Sequence, residues 1–218
     1  MIAEENHLQT EHLNQTGWNS PKPKNMNYSI IGSGNVGTAL ARLFARKKIN
    51  VAVANSRGPE SIAPLVRELE GKIRAVHLAE ALQADIVILA VPFPVFQNVA
   101  QAKTDWSGQI IIDAMNRREK VSGPMSSEVV ARKFPGAKVV KAFNQLPAAI
   151  LASDPSQDGG HRVIFISSNH DAASATVAEL ARQIGFAPIE LGRLDEGGRL
   201  LQFHGPLVLH NLIEHEFD

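Results

Sequence analysis

The chain has 218 residues, of which 44% are hydrophobic and 20% charged. That is enough chain and enough apolar surface for one substantial core plus a small appendage. Its 22 basic residues balance 22 acidic ones, so no overall field draws it to nucleic acid or a membrane surface, and any anion site must be local. Cysteine is absent, which removes disulfides, thiolate metal ligands and cysteine nucleophiles together.

Residues 1–25 show no sustained periodicity and end in Pro-Lys-Pro-Lys, the pattern of a poorly ordered extension. They lack the basic region and apolar block of a secretory leader, and nowhere does an apolar run approach the ~20 residues of a membrane span. A cytoplasmic protein without a membrane part is the expectation.

From Asn27 strands and helices alternate. "YSII" reads as a strand, and Val36 to Lys48 as a helix with Ala39, Leu40, Leu43 and Phe44 on one face. "VAVA" is a second strand. A helix from Pro59 to Leu69 opens on a proline after Gly58, which suits a first helical position. "IRAV" is a third strand, Leu78–Gln83 a short helix, and Asp85–Val91 a fourth strand whose continuous apolar run predicts burial on both faces. "QIIIDAM", a helix over Ser127–Phe134, "AKVVKAF", "RVIFIS", a helix over Asp171–Ile184 and "APIEL" follow. This order predicts a doubly wound α/β fold with a mostly parallel sheet over residues 26–191. Residues 192–218 change character and predict a loop and then a short C-terminal helical segment that completes a substrate site. Asp195, Glu196 and Arg199 are expected at that helix's start.

Between the first strand and first helix lie Gly32, Ser33, Gly34, Asn35, Val36 and Gly37. Three glycines in six residues cost helix and strand stability, so the backbone must need them. This is the strand–turn–helix setting of the dinucleotide fingerprint, which marks a Rossmann sheet. Gly32 allows the tight turn, Gly34 lets a pyrophosphate approach the backbone, and Gly37 lets the helix pack on the strand. The helix N-terminus adds free N–H groups and a partial positive charge.

An NAD-preferring site has an acidic residue at the end of the second strand, where Asn55, Ser56 and Arg57 stand here. A hydroxyl and a guanidinium offer donors to a 2′-phosphate that a carboxylate would repel. The reading is NADP(H) rather than NAD(H).

Ligands of such sheets lie across the carboxyl ends of the strands. Ala90, Val91 and Pro92 after the fourth strand should therefore line the cofactor, with Phe93 beside them. Asn116 after the fifth strand could fix the nicotinamide carboxamide or cap its own turn, and Asn144 after the sixth offers a second amide. No catalytic acid–base pair stands out. His204, His210 and His215 lack the spacing of two ligands on one helix face, so no metal site is read.

"IIGSGNVGTALA", "VANSRGP", "VVKAFNQLP" and "GFAPIELGRL" together resemble the deazaflavin-dependent NADP oxidoreductase family. They are also similar to the related cytosolic reductase domain of the six-transmembrane metalloreductases. The resemblance runs from about Asn27 to about Leu207. It implies hydride transfer between NADP(H) and a flavin or deazaflavin-like ring, with protein groups supplying alignment and water exclusion. It places Ser33, Ser56 and Arg57 at the 2′-phosphate, Val91 and Pro92 near the nicotinamide ribose, and Asn144 and Leu146 near the reacting rings, with Phe93. Deazaflavin enzymes can have histidine where Asn144 stands; "KAFN" is closer to the metalloreductase version.

Two other readings accompany this one. An NADP(H)-binding redox sensor without turnover would share the nucleotide site. Imine and keto-acid reductases would share the sheet, but they add a long helical domain for which only about 27 residues after Leu191 are present. The expected partner is a small-molecule electron acceptor, with no nucleic acid and no membrane, and the expected assembly is a homodimer.

Overall fold

A computed structural model describes residues 26–119 and 123–215; the extension expected over residues 1–25 lies outside them. In chain order the first half comprises β1 (Tyr28–Ile31), α1 (Asn35–Arg46), β2 (Val51–Ala54), α2 (Ala63–Glu68), β3 (Arg74–Ala75), α3 (Leu78–Ala81), β4 (Ile86–Leu89), α4 (Phe96–Gln101) and β5 (Ile110–Asp113). The second half comprises α5 (Ser126–Ala131), β6 (Lys138–Lys141), α6 (Ala148–Ala152), β7 (Ser156–Gln157), β8 (Gly160–Ser168), α7 (Asp171–Gln183), β9 (Ala187–Glu190), α8 (Gly197–Leu200) and β10 (Ile213–Glu214).

The first six strands run parallel in the order β3-β2-β1-β4-β5-β6, the doubly wound Rossmann arrangement. β8 then joins β6 antiparallel and carries β9 parallel to itself. The sheet is thus mostly parallel, as the alternation of elements predicts.

Its central strands β1, β4 and β5 are buried on both faces, and successive residues serve different cores. Ile30, Ile88 and Ile112 face α1, α6 and α7. Ile31, Leu89 and Ile111 face the opposite layer, built on Ala81, Phe96, Val130, Trp106 and Phe134. The helical register of α1 supplies Leu40, Leu43 and Phe44 to the first core, all fully buried. In the second, Trp106 packs edge-on against Phe134 with ring centroids 4.7 Å apart. Its indole N–H is satisfied by the Lys103 carbonyl at 3.0 Å.

Parallel pairing also aligns the strand ends. Ala54, Ile31, Leu89, Asp113 and Lys141 form one row across the sheet. The next residue of each strand therefore opens onto a common edge.

The short helix expected after Leu191 is α8, four residues long, starting after Glu196 and containing Arg199. The turns that follow place His204 and Leu209 at φ of 71° and 67°, and β10 then pairs antiparallel with β8. Gly205 and Pro206 follow α8 in a tight turn. A Cβ on Gly205 would lie 2.5 Å from the Leu200 carbonyl oxygen, so this turn is a close approach of backbone to backbone. The segment is fastened by Arg162, which is 4% exposed and donates to Asn211 and to Gln157 Oε1.

Because Trp106 fills the second core without exposed surface, Trp106→Ala should lower unfolding stability by ~3–5 kcal/mol, read as a lower urea midpoint with an unchanged slope.

Candidate functional site

The turn from β1 into α1 is shaped by contacts that forbid side chains at two glycines and leave the third open. Gly32 has φ 113°, and a Cβ there would stand 2.3 Å from the Ala90 carbonyl oxygen. A Cβ on Gly37 would stand 1.8 Å from the Gly32 carbonyl oxygen, so α1 meets the turn at a distance only glycine permits. Gly34 differs. Its backbone is extended, at φ −80° and ψ −166°, a conformation any residue adopts, and no atom lies within 4 Å of its missing Cβ. Nothing in the protein requires glycine there. The space above it is where the fingerprint seats a pyrophosphate.

That space belongs to a cleft of about 510 Å³ along the carboxyl ends of β1, β4 and β5. Of the expected cofactor residues, Gly34, Asn35, Val36, Ala90, Val91, Pro92 and Asn116 line it, with Phe93 beside them. α1 begins at its wall with no acidic residue in the first turn, which leaves the positive end of the helix unopposed.

At the β2 end, Asn55 organises the turn that carries Ser56 and Arg57. Its side-chain N–H groups donate to Ser33 Oγ at 2.7 Å and Ser61 Oγ at 2.8 Å. Its Oδ1 accepts from the Arg57 backbone N–H at 2.9 Å. Ser33, Asn55 and Ser61 are thereby one hydrogen-bonded group. Among the described residues, the exposed Arg57 guanidinium has no hydrogen bond or ion pair. Sequence reasoning missed Ser61; the signal for it was the position two residues into the helical segment that begins at Pro59.

Under the cleft floor lies a buried ion pair. Lys141 and Asp113 are 1% and 0% exposed, with Nζ to Oδ2 at 3.3 Å. Asp113 also accepts from Ser127 Oγ at 2.7 Å and from the Met115 N–H at 3.0 Å, while Lys141 donates to the Met115 carbonyl. The pair therefore grips both polar groups of the Met115 backbone, whose neighbours Ala114 and Asn116 line the cleft. Burial pushes the Lys141 ammonium below its ordinary range, and the Asp113 charge partly opposes that.

Asn116 and Asn144 are joined reciprocally: Asn116 Nδ2 donates to the Asn144 carbonyl at 2.9 Å, and Asn144 Nδ2 to Asn116 Oδ1 at 3.0 Å. Asn144 also donates to the Leu201 carbonyl at 2.8 Å, tying the C-terminal segment to the end of β6. Phe143, the fully buried residue before Asn144, holds a left-handed φ of 61°, a conformation costing about 1–2 kcal/mol that the surrounding packing imposes. Asn144 and Leu146, 3% and 4% exposed, are not in the cleft lining: Asn144 bonds Asn116 and Leu146 packs in the first core. Arg118 and Glu119 do line it. They were missed, and their signal was a charged run directly after a buried strand end.

The sequence profile described as "NADP oxidoreductase coenzyme F420-dependent" matches residues 27–117. A hypothetical protein of Sinorhizobium meliloti, solved as a crystal structure, is 45% identical, with a TM-score of 0.84, over 87% of this chain and 96% of its own. Metalloreductase STEAP3 of Rattus norvegicus is 30% identical over 169 residues, 76% of this chain and 33% of its own length. This chain thus spans about a third of that curated relative. A protein of Arthrobacter assigned as an F420-dependent NADP-reductase is 24% identical, with a TM-score of 0.68 over 81% of this chain and 90% of its own, a likeness of fold. Residues 27–117 thus match the model of the F420-dependent NADP oxidoreductase family, and the Sinorhizobium protein shares the fold over 87% of the chain. The open space at Gly34 and the donor group around Asn55 fit the family's cofactor. Among the described residues no helix is long and apolar enough to cross a membrane, and no group of three or more His, Asp or Glu side chains could hold a metal ion.

Lys141→Met leaves Asp113 charged and buried without its counter-charge, and should cost ~3–5 kcal/mol in chemical unfolding. Adding Asp113→Asn, which keeps the bonds to Ser127 and Met115, should recover most of that loss. Equal loss in single and double variants would show that the charges do not act as a pair.

Proposed function

We propose that this chain binds NADP(H) along the β1–β4–β5 cleft and carries hydride between it and a flat, conjugated acceptor of the flavin or deazaflavin kind. The observation that carries the reading is the pairing of two sites: an unfilled approach at Gly34 and a donor-rich turn at Asn55–Arg57 with no carboxylate in it. Ser33, Ser56 and Arg57 supply donors to a 2′-phosphate, and Asn55 holds them in place. The first turn of α1 offers N–H groups to the pyrophosphate.

Val91, Pro92 and Asn116 stand where the nicotinamide end of such a molecule would lie. Bound NADPH supplies two electrons and a proton as hydride; the acceptor takes these and a solvent proton, leaving NADP⁺ and the dihydro acceptor. The chain itself aligns the two rings and excludes water, and needs no acid–base pair. Pro92 and Pro94 stiffen the loop over the cleft and contribute no N–H donors of their own. Asn144 sets Asn116 and the C-terminal segment through its hydrogen bonds.

Arg57→Ala should weaken NADPH binding about ten- to hundredfold, the worth of a charge-assisted hydrogen bond, and leave NADH nearly unchanged. Equal weakening of both would remove Arg57 from the 2′-phosphate. NADPH oxidation with riboflavin, FMN and a deazaflavin offered in turn tests the acceptor class. Tight NADPH binding with none of them reduced would favour an NADP(H)-binding sensor.

A further inference from the structure

Two guanidinium groups, one on the cleft lining and one over a lining ring, are not used by the nucleotide site. Arg118 lines the cleft, and its guanidinium carbon lies 6.0 Å from the centroid of the Phe203 ring. Arg117 lies 5.4 Å from the centroid of Phe93, itself a lining residue. Among the described residues neither has a carboxylate partner, and the other charge on the lining is the single Glu119. Phe203 packs edge-on against His204, with centroids 4.5 Å apart, so the C-terminal segment brings a second aromatic edge to this rim.

We propose that Arg117 and Arg118 form an anion subsite that selects an acceptor carrying a phosphate on its ring substituent. This rests on the hydride-transfer reading above and narrows its substrate class. A planar guanidinium laid on an aromatic face keeps its in-plane N–H donors free for a bidentate partner, and phosphate oxygens match that fork. Neutral riboflavin offers the same ring without the anion.

The discriminating experiment is fluorescence titration of FMN and riboflavin into full-length protein saturated with NADP⁺, at low and high salt. FMN should bind roughly tenfold or more tightly than riboflavin, equivalent to the ~1.4 kcal/mol per decade of affinity, and the difference should shrink as salt screens it. In Arg117→Ala/Arg118→Ala the ratio of the two affinities should fall towards one, and Arg117→Lys/Arg118→Lys should keep part of it. Equal affinities in the wild type, an unchanged ratio in the alanine variant, or no flavin binding at all would overturn the proposal. So would a matching loss of NADPH affinity, which would assign the arginines to the cofactor. Preferential FMN binding without NADPH-dependent reduction would support the subsite and contradict hydride transfer, so the two failures are distinct.

Discussion

A carbonyl oxygen 1.8 Å from the point a Cβ of Gly37 would occupy sets the distance between α1 and β1, and the remainder of the site follows from it. At that distance the helix N-terminus arrives at the carboxyl edge of the sheet with its free N–H groups facing outward. Gly32 meets the neighbouring strand in the same way, through the Ala90 carbonyl. These two approaches are demanded by the fold; no protein atom makes the same demand at Gly34.

Around that turn, the residues following the aligned strand ends are locked by polar contacts reaching across the sheet. Asn55 ties the β2 turn to the glycine turn. The Asp113–Lys141 pair ties β5 to β6 and fixes Met115. Asn116 and Asn144 clasp each other, and Asn144 reaches Leu201 beyond them. An ion pair with both partners in the core gains little over apolar packing in net stability, but it fixes the backbone it bonds to. Here that backbone is the wall of the cleft.

Much of this was legible in the chain because it depends on local pattern. Alternating cores appear as continuous apolar strands, and the Rossmann order follows from strand–helix alternation with short links. The glycine turn is readable because its spacing is a backbone requirement. Long-range burial is harder to read. Asn144 looked like a ring-facing amide, yet its N–H groups are consumed by Asn116 and Leu201, a partner 57 residues away. Lys141 has the same sequence character as a surface lysine, and only the alignment of β5 with β6 puts Asp113 opposite it. The short helix at Gly197–Leu200 was legible, but the strand β10, which pairs with β8 after two left-handed residues and a tight glycine, was not.

If NADP(H) occupies the open space above Gly34, a side chain placed there must compete with it. Calorimetric titration of NADPH into wild type and Gly34→Val, with thermal unfolding of both, tests this directly. The account predicts closely similar unfolding midpoints, since the added side chain meets no protein atom, and an affinity lower by about tenfold or more in the variant. Undiminished NADPH binding by Gly34→Val, or no binding by the wild type, would contradict it.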